Sequence, residues 1–390
     1  MRVFGKWLGR VLFALVLAAI VVGVWKRDEI SRLLAVNSLF SEDKIVFNFS
    51  NMDQAFLSTP VPRGNGPTAE LTYGPEFTLP SKVDDWIAAR DVTALVILKD
   101  GQIVYENYFK GTDPEDRRVS WSVAKSYLSA LLGILLDEGQ IASLDDQVTQ
   151  YAPSLVGTAY EGATIRNVLN MASGVTFDED YLDKGSDINR MGRVIALGGE
   201  LDEFTASLKE TFAEPGTQWQ YVSIDTHVIS MVIRGATGRS IPDLLSEKIV
   251  APMGLEYDPY YLTDGSGVAF VLGGLNLTTR DYARMGQMFL QDGFYNGKQI
   301  VPADWVTAST VPSAPTAPGS IGYGYQWWIP QGGNAGEFMA RGVYGQYIYI
   351  DRAAGVVIAT NSADRSFRDA GVSEQNIETF RLIRTVLGEN

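Results

Sequence analysis

The chain has 390 residues, 46% apolar and 11% aromatic, with no cysteine, one histidine and a formal charge of −14. That apolar content supports a large buried core, and the length points to one large domain with an insertion or to two packed domains. Without cysteine there are no disulfides, iron–sulfur clusters, thiolate zinc sites or cysteine nucleophiles, and His227 alone cannot build a multi-histidine metal site. Acid–base chemistry must fall mostly to Lys, Tyr, Asp or Glu.

Charge divides the chain. Residues 1–27 hold five basic residues and no acidic one, which leaves −19 on the remainder. So acidic a body is repelled by phosphate backbones and argues against nucleic-acid binding. From Val11 to Trp25, 15 residues run without a charge. Counted from Trp7, the helix would be about 28 Å long, close to a bilayer's hydrocarbon core. Trp7 and Trp25 would then sit at the interfaces, with Arg10 snorkelling. Residues 1–30 are therefore expected to be a membrane anchor, with a cleaved signal segment as the alternative. The expected location is a bacterial inner membrane with the body on the periplasmic side, or secretion if the segment is removed.

Residues 31–83 read as an extended connector, clearest in the Pro- and Gly-rich run from Thr59 to Pro67. Val92 to Leu98 and Ile103 to Tyr105 flank Asp100-Gly101, which predicts a hairpin. Leucines at helical spacing after Ser122, stopped by Gly139, predict a helix to about Glu138. Shorter helices and long loops follow over 145–275, including the acidic stretch from Phe177 to Asn189. A second amphipathic helix is expected over Thr278 to Gln291. Strands are expected over Tyr323 to Ile329, Gln346 to Ile350 and Gly355 to Thr360, and a helix over Glu374 to Leu387. The pattern is α+β, with a sheet part from both ends (about 84–144 and 276–390) and an inserted helical part (about 145–275).

The sharpest motif is Ser122-Val123-Ala124-Lys125 at the start of the apolar helix. Residues three apart on a helix are neighbours, so Ser122 can be activated by Lys125 wherever burial leaves that amine neutral. The positive end of the helix favours an oxyanion beside Ser122. Spacing alone is weak evidence, because Ser41-Glu42-Asp43-Lys44 repeats it in an acidic stretch without an apolar helix. Tyr221-Val222-Ser223 adds a phenol that can carry a proton to a leaving group. Tyr105-Glu106-Asn107 matches the same loose pattern but lies in the hairpin. His227, within the apolar run HVISMVI, reads as a packed structural residue, and no G-x-S-x-G elbow accompanies it.

The order Ser122/Lys125, Tyr221-Val222-Ser223 and Gly342 on a late strand resembles the serine β-lactamase and DD-peptidase superfamily. Within it, the class C-related branch of 6-aminohexanoate-oligomer hydrolases and esterases fits best. The phrases LNMASG from Leu169, GLNLTTRD from Gly274, GYGYQWW from Gly322 and GVYGQ from Gly342 support the likeness, which covers about residues 84–388. The resemblance implies a β-lactamase/transpeptidase-like fold, an antiparallel sheet flanked by helices beside an all-helical region, with the active site between them. It implies Ser122 as the acylated nucleophile, Lys125 as base, Tyr221 as proton relay, and the N–H groups of Ser122 and Val343 as the oxyanion hole. It further implies a small amide or ester substrate and no cofactor or metal. Ser223, Asn276, Gly342, Tyr181, Asp187 and Trp327 are the candidate substrate contacts. One departure stands out. The family's Lys or His, Ser or Thr, Gly triplet is here Ala340-Arg341-Gly342, which favours amide or ester hydrolysis over β-lactam turnover. A β-lactamase or DD-peptidase, and a non-hydrolytic penicillin-binding-like receptor, are the alternatives.

Overall fold

A computed structural model describes residues 2–389. Its main sheet is antiparallel and draws on both ends of the body. Strands β1 (Val92–Lys99) and β2 (Gln102–Tyr108) form the expected hairpin, turned through Asp100 and Gly101 at positive φ. The late strands are β3 (Gly322–Tyr323), β4 (Trp328–Ile329), β5 (Glu337–Gly342), β6 (Gln346–Asp351) and β7 (Val356–Ser362). Their order across the sheet is β2-β1-β7-β6-β5-β4-β3. The run expected as one strand from Tyr323 to Ile329 is instead two short strands. Gln326, at φ 66°, folds the chain back between them.

Both faces of this sheet are covered, which is why β1 reads as a nearly continuous apolar run. Val96 and Leu98 face the larger core, while Leu95 and Ile97 face a second core closed by Trp86, Phe380 and Ile383. Helix α3 (Ala124–Asp137) runs through the larger core, buried at every residue from Ala124 to Leu135. Helices α4 (Asp187–Leu197) and α5 (Ser223–Thr237) lie in the inserted helical part, and α5 packs against α3. Helix α6 (Thr279–Leu290), capped by the Thr278 hydroxyl, lies across the sheet, and α7 (Val372–Glu389) covers the opposite face.

The N-terminal region departs from expectation. Helix α1 (Arg2–Trp25) is followed at a bend of 73° by α2 (Arg27–Ser38), and further short helices occupy Ile45–Ser50 and Met52–Ala55. Residues 31–55 are thus largely helical, and only the stretch beyond is extended. Their apolar residues Leu39, Ile45, Phe49 and Met52 are buried against the body, which supplies the partner surface that a local reading lacks. Ser58–Pro60 then joins a small antiparallel sheet with Tyr260–Leu262, Leu275–Leu277 and Arg118–Val119. No single helix among the described residues is long and apolar enough to cross a membrane. The bent pair Gly9–Trp25 and Arg27–Ser38 meets that measure together.

Candidate active site

Ser122 sits in a single 3₁₀ turn, Trp121–Val123, that leads directly into α3. The turn starts abruptly because Trp121 has φ 44°, an uncommon conformation for a bulky residue. The N-terminal end of α3 thereby points its positive dipole at the serine. Ser122 opens onto a cleft of about 480 Å³, shared with Tyr221, Trp328, Gly342, Val343 and the stretch from Phe367 to Glu374.

One turn further on, Lys125 is buried, and its Nζ donates a 2.9 Å hydrogen bond to the Leu272 carbonyl. Nζ also lies 5.6 Å from the centre of the Tyr221 ring. No salt bridge to Lys125 occurs among the described residues. Burial pushes its ammonium down to about 7, against the partial counter-pull of Glu179 and Asp225. A substantial fraction of the amine is therefore neutral at neutral pH and can accept a proton.

Burial acts on Tyr221 in the opposite chemical sense. It drives the phenol well above its ordinary range, and a hydrogen bond from Ser122 offsets only part of that rise. Tyr221 thus keeps its proton at neutral pH. Its ring is fixed by stacking on Trp328 (5.4 Å, 23°) and by the edge of Tyr323 (6.4 Å). Ser223 opens α5 beneath Tyr221, buried rather than lining the cleft. Its N–H donates to Glu179 Oε1 at 2.5 Å.

Gly342 ends β5 where the strand touches the turn that carries Ser122. A Cβ there would lie 2.7 Å from the Ser120 carbonyl oxygen and 3.1 Å from the Ser122 nitrogen. Only glycine lets the strand come so close, and the close approach brings Val343 to the same wall of the cleft. Tyr181 also lines the cleft, its hydroxyl donating to Glu179 Oε2 at 3.2 Å.

Besides Ser223, three expected substrate contacts lie outside the cleft lining. Trp327 is fully buried between Phe289 and Phe338, and the tight turn at Gln326 presents its neighbour Trp328 to the cleft instead. Asp187 is consumed by its own surroundings: it accepts from the Asp178 N–H and pairs with Arg190, outside the cleft lining. Asn276 is buried on a strand of the small sheet, where its side-chain amide donates to the Gly274 carbonyl, while Thr278 caps the following helix. His227 lies buried on α5 against Asp202 (2.7 Å), a structural pairing.

Sequence reasoning missed Glu179, Arg341 and the 367–374 wall. Glu179 belongs to the acidic stretch placed among the long loops, yet it turns inward and burial raises its carboxyl, against the hydrogen bond from Ser223. Ala340 and Arg341 do face opposite sides of β5, as strand geometry requires. Ala340 is core, whereas Arg341 lines the cleft, 5.4 Å over the Trp328 ring and hydrogen-bonded to Ser373 Oγ (2.8 Å).

Residues 83–377 match the β-lactamase family. The chain belongs to the β-lactamase family. It is 30% identical over 287 residues to a 6-aminohexanoate-dimer hydrolase of Paenarthrobacter ureafaciens, which covers 69% of this chain and 72% of that one. A D-aminopeptidase of Brucella anthropi is 28% identical over 172 residues, 42% of this chain and 31% of its own length. A Bacillus anthracis structure described as a 6-aminohexanoate-dimer hydrolase superposes with a TM-score of 0.80 at 25% identity, covering 90% of this chain and 96% of that one. This β-lactamase-family chain is a serine hydrolase.

Proposed function

We propose that Ser122 carries the acyl group, with Lys125 as its base, Tyr221 as the proton path to the leaving group, and small linear amides or esters as substrates. The observation that carries this reading is Lys125, a buried amine drawn down to about 7 one helical turn from a cleft-lining serine. Neutral Lys125 takes the Ser122 proton as Oγ bonds to the substrate carbonyl carbon. The charge forming on the carbonyl oxygen falls between the N–H groups of Ser122 and Val343. As the C–N or C–O bond breaks, Tyr221 donates its proton to the departing atom and is refilled from the Lys125 ammonium. A water molecule then attacks the acyl carbon, its proton returning by the same groups, and the acid and free Ser122 are released.

Ser122→Ala should abolish both hydrolysis of a p-nitrophenyl ester and labelling by a fluorophosphonate; undiminished turnover in that variant would break the mechanism. The relatives' names support short amides as substrates, and a cleft lined by both Glu179 and Arg341 suits chains with charged ends. With Ala340 at the family's cationic position, a panel of cephalosporin, amide dimer and acyl ester should give turnover of the last two only. The uncharged Val11 to Trp25 stretch supports membrane anchoring with the body outside the cytoplasm. Full-length protein should then sediment with membranes after a carbonate wash, and protein starting at Asp28 should stay in the supernatant.

A further inference from the structure

Two backbone N–H groups, of Ser122 and Val343, form the proposed oxyanion hole, and each is joined to a non-glycine residue in the left-handed region. Trp121 (φ 44°) precedes Ser122, and Tyr344 (φ 60°) follows Val343. Bulky residues hold such conformations only where the surroundings over-determine them. Here the surroundings are a cluster of five rings, two of them from the N-terminal arm, residues 27–55. The Trp121 and Tyr344 rings lie 6.1 Å apart. Phe40 stacks on Tyr344 at 4.8 Å and 10°, and also meets Trp121 at 5.9 Å. Phe49 places its edge against both, at 5.6 Å from Trp121 and 5.5 Å from Tyr344. Phe367, from the cleft wall, also meets Tyr344 at 4.6 Å.

Phe40 and Phe49 lie outside residues 83–377, the part that matches the family. The arm is also tied to the strand that leads into the nucleophile turn. Buried Arg118 donates to the Val46 carbonyl (2.8 Å) and to Ser50 Oγ (2.5 Å). Phe40 retains 37% exposure, so it contributes little core, yet its ring face rests on the residue next to an oxyanion donor.

We infer that Phe40, braced by Phe49, is a positioning residue: through Tyr344 and Trp121 it holds the two oxyanion donors in register, making the N-terminal arm part of the catalytic apparatus. The inference rests on the Ser122 and Val343 assignment above. The test uses the full chain with p-nitrophenyl butyrate as substrate and phenylboronic acid as a probe that forms a tetrahedral adduct on the serine. Phe40→Ala should lower kcat about tenfold with KM within about twofold, the scale of one aromatic pair. Boronate affinity should fall by the same factor, while Phe40→Tyr, which keeps the stacked face, should restore both. Phe40→Leu, similar in bulk but without that face, carries the same expectation if the alanine variant does not fold. A wild-type kcat in Phe40→Ala and Phe40→Leu, or a fall in kcat with unchanged boronate affinity, overturns the brace. Loss of boronate binding in Ser122→Ala, with wild-type kcat and boronate affinity in Phe40→Ala and Phe40→Leu, would break the brace alone; boronate binding and turnover that survive Ser122→Ala would break the underlying assignment.

Discussion

The body and the N-terminal arm reach their folds by opposite routes. In the body, long elements bury both faces and carry their own partners: α3 is surrounded by core from Ala124 to Leu135, and β1 feeds two cores through alternate residues. In the arm, helices of four to twelve residues follow α1, and none would persist alone. Their order comes from what the body offers, through Arg118 to Val46, Arg32 to the Ala196 carbonyl, and the aromatic cluster around Tyr344. The difference shows that chemistry here is placed by stiff elements, while fine positioning can be delegated to a segment stabilised only by docking.

Substitutions can strain this contrast in order of size. Lys125→Ala, in the stiffest element, should cut kcat/KM by about 10³, read from ester hydrolysis at pH 8; a loss below tenfold would remove Lys125 from the mechanism. Trp327→Ala should destabilise the body by about 3–5 kcal/mol in denaturant titration. Trp328→Ala should instead act mainly on substrate binding, and equal stability losses in the pair would mean that their environments are not distinct. Gly342→Ala should lower kcat about 10²-fold by forcing β5 away from Ser120 and Ser122.

The pH profile is a gentler probe. In the proposed mechanism Lys125 works as the neutral amine, so kcat/KM should fall about tenfold per pH unit below about 7. Glu179→Gln removes a negative charge that favours the ammonium, so that acid limb should move to lower pH. A limb that moves up would place Glu179 in some other role. Smallest of all, Arg32→Ala should cost about 1 kcal/mol or less and leave kcat unchanged, since Arg118 holds the aromatic part of the arm separately.

The grouping of Ser122, Lys125 and Tyr221 was legible because its information is local. Ser122 and Lys125 share a helix start, the apolar helix after them forces burial, and Tyr221 lies in a recognisable phrase. Glu179 was not, since an acidic residue in an acidic loop looks solvated until a tertiary contact turns it inward. Alternation along a strand shows that Trp327 and Trp328 face opposite ways, but which one meets the cleft depends on the turn at Gln326. Asn276 sits close enough to α6 to read as its cap, yet the chain is still paired in the small sheet at that point. The arm was hardest to read. Its apolar residues are too few and too interrupted to show a period, and their burial is decided by surfaces far away in the chain.

The contact of Gly342 with the nucleophile turn also bears on how this hydrolase can change its substrate range. No side chain can be added at that position without pushing the strand away, so variation along this edge is confined to Arg341 and Val343 on either side of it. Laboratory selection for a new substrate should accumulate changes there and across residues 367–374, with Gly342 surviving every round. Adaptability and rigidity then occupy neighbouring residues of one strand, and a library that randomises all three positions together would spend most of its members on the one that cannot move.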